Sequence, residues 1–294
     1  MTSSRLTAGY PAAIALVVLA TTGWSLAGVF VRLLPGLNGW QINCWRGLSM
    51  AIFLLAYLVV ANGKQTLTTF RSMPGIAMLA GAGFFALGST LYVTSLTLTS
   101  TANVSAIGAI APVFVIVLSA WVTKEHPGKA AWIAAFLAIA GVSIIFRDGL
   151  RSGDWLGSLV AIAVALCFAG QTLTLRRFRD LEMMPAILVG GLAVFVIAGI
   201  AGGFEVPWRE IGILAVMGPV QLAIPLILFA RAARQVPAAT LSLIALLDVV
   251  LNPIWSWIGV GEIPAVASFV GGVVIVTAVS LSVLAGRRMS AQQG

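Results

Sequence analysis

The chain alternates long apolar segments with short polar connections. Apolar runs of about 20 residues recur along almost its whole length, and such a run crosses about 30 Å of hydrocarbon as a helix. We place ten of them at residues 13–33, 40–60, 74–94, 103–122, 129–146, 155–175, 186–204, 210–230, 238–258 and 265–285. Because a helix satisfies its own backbone hydrogen bonds in lipid, this pattern predicts an all-α integral membrane protein with ten transmembrane helices.

The two halves of the chain repeat one another. Two segments with the same apolar layout end in Glu125-x-Pro127 and Glu262-x-Pro264, at a constant offset of 137 positions. The sequence therefore predicts a duplication.

Each repeat holds five predicted spans, and the repeats cover residues 1–148 and 149–294. Five is an odd number, so the second repeat must enter the membrane from the opposite side. The predicted fold is therefore a 5+5 inverted repeat, and such a pair is the geometric basis of alternating access in transporters.

Composition supports a membrane location and an orientation. The 294 residues are 60% apolar and 9% charged, which excludes a water-soluble domain of this size. Twelve of the 17 basic residues fall in loops on the side of the N-terminus. Since Lys and Arg in short loops resist translocation, we expect a multi-pass protein of the bacterial inner membrane with both termini in the cytoplasm. We attribute the net charge of +8 to this topology and to anionic lipid, and expect no nucleic-acid partner.

Two ionisable residues lie at membrane depth, where a charge costs roughly 2.5–3.5 kcal/mol. Asp248 is at the centre of span 9, and Arg46 lies about two turns into span 2. In the simpler interpretation, Asp248 makes a structural hydrogen bond and Arg46 extends to the interface. In the functional one, both line a substrate cavity, where Asp248 meets an ammonium group or takes up a proton and Arg46 meets a carboxylate.

Other polar and aromatic side chains at membrane depth outline the rest of this predicted cavity. We include as substrate-binding candidates Trp24, Asn43, Ser89, Tyr92, Asn103, Phe168, Gln171, Gln221 and Asn252. Hydrogen bonding between helices is the competing interpretation for each polar member. For Trp24, near the middle of span 1, packing and substrate contact explain the position equally well.

The requirements of an intramembrane enzyme are not met. The only histidine is His126 in a loop, and Cys44 and Cys167 are isolated in sequence, so the chain offers no metal site, catalytic pair or disulfide. No GxxxxGK[ST] phosphate-binding loop is present. We therefore expect no catalysis and no cofactor. A channel or a non-transporting membrane partner is not excluded by motif.

The sequence also resembles the EamA-type family of the drug/metabolite transporter superfamily over nearly its whole length. The residues that carry the resemblance are Trp24 with Arg32, Phe168 with Arg176, Arg46, Ala111-Pro112-Val113 with Lys124-Glu125, and Asp248-Val249-Val250 with Gly261-Glu262. The chain departs from the family pattern in having Ala111 where the first repeat often has a glutamate, so the resemblance does not imply a symmetric proton mechanism.

The resemblance implies a secondary transporter that exports amino acids or similar small metabolites, and it fits the amino-acid exporter branch best. A multidrug exporter and a nucleoside- or sugar-type exporter are the alternatives within the superfamily. The expected partners are a small-molecule substrate and the lipid bilayer. Spans 5 and 10 carry little polarity, so they scaffold the bundle or form a homodimer contact.

Overall fold

In a computed structural model of the chain, the described residues are 3–99, 104, 107–146, 155–260 and 266–292. They form helices and turns, and no strand occurs among them. The predicted site residue Asn103 and the repeat residue Glu262 lie outside the described residues.

Fourteen helices are described. Those of the first half are α1 (Ser3–Ser25), α2 (Ala27–Arg32), α3 (Gly39–Asn62), α4 (Thr66–Ser72), α5 (Gly75–Leu98), α6 (Ala111–Val122) and α7 (Lys129–Phe146). Those of the second half are α8 (Trp155–Arg177), α9 (Met184–Gly202), α10 (Trp208–Met217), α11 (Ile224–Ala232), α12 (Ala238–Ala245), α13 (Leu247–Val260) and α14 (Val266–Gln292). A π-helical turn, Gly218–Ala223, joins α10 to α11.

Seven segments of the described structure are long and apolar enough to cross a membrane, and three shorter apolar helices accompany them. The shorter helices are Ala111–Val122, Lys129–Ile144 and Phe269–Leu284. Large apolar side chains cover the outside of the bundle; Leu79 is 71% exposed and Ile200 76% exposed. The protein is therefore an all-helical membrane protein, and the count of ten spans stays a prediction.

Helices from the two halves pack against one another rather than forming two separate bundles. Helix α9 packs against α3 and α5, α8 packs against α5, α11 packs against α1, and α14 packs against α7. Small residues allow these close approaches. At Gly141 in α7, an added Cβ would lie 2.9 Å from the Gly271 carbonyl oxygen of α14, so the two backbones touch there.

Two helix interruptions occupy equivalent positions of the two halves. A turn at Ala109–Ile110 precedes α6, and Leu246 separates α12 from α13. The offset of 137 positions places Ile110 opposite Leu247, the first residue of α13. Interrupted helices at matching positions of two repeats are the arrangement that builds binding sites in transporters.

Contacts between loops define the two ends of the bundle. At one end, Asn38 caps α3 and Gln41 donates from Nε2 to the carbonyl oxygen of Glu205 at 2.8 Å. At the other end, Arg231 donates to the Tyr57 hydroxyl at 3.1 Å. We call the second end the arginine-rich end, because Arg176, Arg179, Arg231 and Arg234 all lie there; it is the end predicted to face the cytoplasm.

Candidate functional site

Arg46 is the centre of a buried polar cluster between the two halves. Its guanidinium donates from Nη1 to Gln221 Oε1 at 3.0 Å and from Nη2 to Asn43 Oδ1 at 2.6 Å. Ser89 donates to the same Asn43 oxygen at 2.9 Å. Arg46 is only 9% exposed, so its charge points into the protein, and the interpretation in which it extends to the interface is wrong.

Local backbone geometry brings these side chains together. Asn43 and Arg46 are three residues apart on α3 and therefore share a face. Gln221 lies in the π turn, which packs on α3 through Gly218. A Cβ at Gly218 would lie 2.5 Å from the Met50 amide nitrogen and 2.7 Å from the Arg46 carbonyl oxygen, so only glycine permits this approach.

The charge on Arg46 is left uncompensated. Its Nε is buried without a hydrogen-bond partner, and within the described part of the chain the ion pair that the structure shows joins two other residues, Arg176 and Glu125. Burying an unpaired cation is costly, and a ligand carboxylate would remove that cost. The cluster is therefore suited to binding an anionic group.

Asp248 supplies an acidic group in the same region. It lies in the first turn of α13, directly after the interruption at Leu246, where the helix dipole stabilises a negative charge. Its Oδ1 atom is buried without a hydrogen-bond partner among the described residues. Tyr92 lies near both Asp248 and Arg46. Because Tyr92 is also 38% exposed, the space around its side chain is not filled by protein.

Three aromatic rings form a separate contact group. The ring centroids of Trp24 and Phe168 are 6.3 Å apart, those of Trp24 and Phe229 5.2 Å, and those of Phe168 and Phe229 6.5 Å. The sequence predicted a role for Trp24 and Phe168 but not for Phe229, which looks like any apolar residue of a span. We call these three residues the aromatic trio.

Two further predicted site residues, Gln171 and Asn252, differ in their surroundings. Gln171 on α8 is 8% exposed, and both atoms of its amide group are buried without partners. Asn252 on α13 contacts α2, since a Cβ at Gly28 would lie 2.6 Å from its Oδ1 atom. Asn252 thus joins two helices, whereas Gln171 presents unused donors and an acceptor to a ligand.

The order of residues along two helices shows how these groups are layered. Along the π turn and α11, Gln221 comes first, then Phe229, and then Ala233 at the arginine-rich end. Along α8, Phe168 precedes Arg176 by about 12 Å at 1.5 Å per residue. The aromatic trio therefore lies between the Arg46 cluster and the arginine-rich end. Among the described residues, no group of His, Cys, Asp and Glu could hold a metal ion.

A buried ion pair lies between the aromatic trio and the arginine-rich end. Glu125 accepts a hydrogen bond from Arg176 Nε at 2.6 Å and one from the Ala238 backbone nitrogen at 3.0 Å. Arg176 also donates from Nη1 to the Ala233 carbonyl oxygen at 2.6 Å. We call these four residues the Glu125 junction; it ties the end of α6 in the first half to α8, α11 and α12 in the second.

Comparison with known proteins identifies the family of the chain. The sequence profile of the EamA-like transporter family matches the chain twice, at residues 11–147 and 151–284. The chain belongs to the EamA-like transporter family. Members of this family are transporters rather than enzymes.

Relatives of this EamA-like transporter bear transporter names. The uncharacterised transporter YdfC of Bacillus subtilis is 26% identical over 280 residues, which cover 90% of this chain and 89% of YdfC. The pseudopaline exporter CntI of Pseudomonas aeruginosa is 26% identical over 231 residues, which cover 76% of this chain and 80% of CntI. One crystal structure, of a protein that is 17% identical in sequence, matches this chain with a TM-score of 0.80. The match covers 95% of this chain and 99% of the other chain, which supports the fold.

Proposed function

We propose that this EamA-like transporter exports amino acids or similar zwitterionic metabolites across the bacterial inner membrane by alternating access. The observation that carries the proposal is the pair of opposite, unsatisfied groups at membrane depth. Arg46 has an unpartnered Nε, Asp248 has an unpartnered Oδ1, and Tyr92 lies near both. Isolated ions are rare at this depth and usually mark a transport site.

A zwitterion satisfies both groups at once. Its carboxylate accepts hydrogen bonds from Arg46, whose planar guanidinium suits a carboxylate. Its ammonium group donates to Asp248. The aromatic trio and Gln171 then lie toward the arginine-rich end, where they contact the side chain of the solute. Without a solute, the charges of Arg46 and Asp248 do not compensate one another. A zwitterion would compensate both charges, whereas a singly charged solute would compensate only one, so a zwitterion is favoured.

Helix packing supports the 5+5 inverted repeat on which alternating access depends. Helix α5 of the first half packs against α8 and α9 of the second half. In the proposed repeat, α5 corresponds to the segment formed by α10, the π turn and α11, and α8 and α9 correspond to α1 and α3. That segment packs against α1 and α3, as the repeat requires. The double match of the family profile supports the same division, into 1–148 and 149–294.

A drug or larger metabolite exporter is the second candidate, and the aromatic trio favours it. The trio is a group of three tilted rings in mutual contact, and its apolar character suits a larger apolar solute better than an amino acid with a small side chain. The name of the relative CntI states export of the metabolite pseudopaline, which supports export as the direction of transport. We place amino acids first because the paired charges are the more unusual feature.

Uptake into proteoliposomes tests the proposal. We expect saturable uptake of labelled amino acids that unlabelled competitor inhibits, compared with empty vesicles. Arg46→Gln should reduce uptake by about ten- to hundredfold, because a hydrogen bond to a charged group contributes about 1.5–3 kcal/mol. The control Arg71→Gln removes an exposed charge at the arginine-rich end and should leave uptake unchanged.

Two outcomes would contradict the proposal. No saturable uptake across the panel would favour the drug or metabolite exporter, and thermal stabilisation by non-amino-acid solutes would then identify its ligands. Unchanged uptake by monodisperse Arg46→Gln would place the site elsewhere. Measuring the same uptake with and without an imposed pH gradient assigns or removes a proton role for Asp248.

A further inference from the structure

A cavity lies at the arginine-rich end, apart from the Arg46 cluster. It measures about 150 Å³ and is enclosed by α3, the end of α8, the start of α9, and α11. Its polar lining consists of Tyr57, Arg179, Glu182, Arg231 and Arg234. Transport as proposed above does not use any of these residues.

Three positive charges face this cavity with little compensation. The structure shows no ion pair of Arg179, Arg231 or Arg234 with any carboxylate of the described residues. The one acidic side chain of the lining, Glu182, accepts a hydrogen bond from the Met184 backbone nitrogen at 3.3 Å, at the start of α9. Guanidinium groups that share a small cavity repel one another, so an anion bound between them would relieve that repulsion.

The cavity also offers directed donors. Arg231 donates from Nη2 to the Tyr57 hydroxyl at 3.1 Å, and its guanidinium lies 6.0 Å from the centre of the Tyr57 ring. This contact fixes one arginine against α3, whereas the structure shows no side-chain hydrogen bond for Arg179 or Arg234 among the described residues. Two free guanidinium forks beside a fixed one match the several oxygens of a phosphate group, which arginine binds through paired hydrogen bonds.

We propose that this cavity binds a phosphate group at the arginine-rich end of the transporter. The headgroup of an anionic phospholipid is the source that the surroundings favour. On the membrane-centre side of the cavity, Ile52 precedes Tyr57 on α3 by about one and a half turns and is 60% exposed, and Ile224 lies two turns before Arg231 on α11 and is 40% exposed. Basic pockets between membrane helices bind lipid headgroups, and apolar side chains such as these would contact the acyl chains. Free phosphate shares the same chemistry and is the other source.

The experiment measures thermal unfolding of the purified protein in neutral detergent while one ligand at a time is titrated. Phosphatidylglycerol is compared with phosphatidylcholine of the same acyl chains, and with inorganic phosphate at matched ionic strength. A ligand that binds the folded state stabilises it by RT ln(1 + [L]/Kd), so the unfolding temperature rises with ligand concentration. We expect phosphatidylglycerol to stabilise the protein and phosphatidylcholine not to.

The test variant is Arg179→Gln/Arg231→Gln/Arg234→Gln. It should lower the apparent affinity for phosphatidylglycerol by more than about tenfold, since it removes three charge-assisted contacts. The control Lys64→Gln/Arg71→Gln/Lys129→Gln removes three exposed positive charges from the end predicted to be cytoplasmic and should bind as the parent does. The single variant Arg234→Gln breaks no hydrogen bond seen in the structure, and it serves if the triple variant does not fold.

Each outcome decides the proposal. Stabilisation by inorganic phosphate that the triple variant abolishes would confirm the phosphate site and assign it to a soluble ligand. Equal stabilisation by both phospholipids would overturn the anionic headgroup as the source. Full affinity in the triple variant, or in Arg234→Gln if the triple variant does not fold, would overturn the phosphate site, and so would the absence of stabilisation by any of the three ligands. Transport activity is not read out, so failure here leaves the proposed export function untouched.

Discussion

Replacing Glu125 by glutamine should open the arginine-rich end of this transporter. Glu125 lies in the first half of the chain, and its partners Arg176 and Ala238 lie in the second. In the proposed alternating access the two halves separate at one end at a time, so these hydrogen bonds would have to break whenever this end opens. Glutamine preserves the size of the side chain, but it removes the charge and leaves one acceptor oxygen for the two hydrogen bonds that Glu125 accepts.

The magnitude follows from the geometry of the Glu125 junction. The side chains of Arg176 and Glu125 are 8% and 13% exposed, so water screens their 2.6 Å contact only weakly. A hydrogen bond between charged groups contributes about 1.5–3 kcal/mol, which corresponds to about a ten- to hundredfold change in an equilibrium constant. Because the bond exists only when the end is closed, Glu125→Gln should shift the population toward the open state by that factor.

A buried cysteine reports this shift. Thr172 is 1% exposed and lies one turn before Arg176 on α8, so Thr172→Cys should become reactive only when the end opens. The buried Cys44 and Cys167 are first replaced by serine and alanine. Labelling by a membrane-impermeant maleimide should then be about ten- to hundredfold faster in Glu125→Gln than in the parent. Asp180→Asn, an exposed change at the same end, is the control.

Labelling of Glu125→Gln within about twofold of the parent, with the protein still monodisperse, would refute this reasoning. The Glu125 junction would then be a fixed part of the fold. A double-mutant cycle with Arg176→Gln gives a second measure, because a coupling energy near zero would show that the ion pair contributes nothing to closure.

Three further predictions follow from the helix contacts. Gly218→Ala should destabilise the protein by about 1–3 kcal/mol in thermal unfolding because its methyl group meets the α3 backbone, whereas Gly212→Ala, with open space around it, should not. Trp255→Phe should cost about 1 kcal/mol because it breaks the 2.8 Å bond to Ser25 Oγ, and Ser25→Ala should add little in that variant. Asp248→Asn should abolish uptake of zwitterions in proteoliposomes while leaving thermal unfolding within about 1 kcal/mol of the parent; a large loss of stability would assign Asp248 a structural role.

Sequence alone predicted those parts of the structure that depend on short-range patterns. Apolar runs located the helices, and Asn43 and Arg46, three residues apart in one predicted span, are joined by a 2.6 Å hydrogen bond. The insertion cost of a charge singled out Arg46 and Asp248 before any contact was known. Each of these inferences needs only the properties of one helix in lipid.

Contacts between distant helices were beyond the reach of those patterns. The hydrogen bond from Arg46 to Gln221 spans 175 positions, and nothing in either segment specifies that the π turn brings them together. The indole nitrogen of Trp255 donates to Ser25 on α1, 230 positions away. The interruption at Leu246 has neither glycine nor proline at that residue, so no local signal marked it. Tertiary packing, rather than local preference, decides these features.

The helix scaffold is repeated in the two predicted halves, whereas the charged residues of the candidate site are not. Exchanging the halves maps the helix contacts onto one another, and this gives a transporter two related conformations of similar energy. The charged groups do not follow that exchange, because Ala111 stands in the first repeat where Asp248 stands in the second. An asymmetric pair of charges orients a zwitterion one way in the cavity. In the proposed mechanism, the scaffold would therefore alternate between its two openings while the solute keeps one binding pose, with its carboxylate at Arg46 in both.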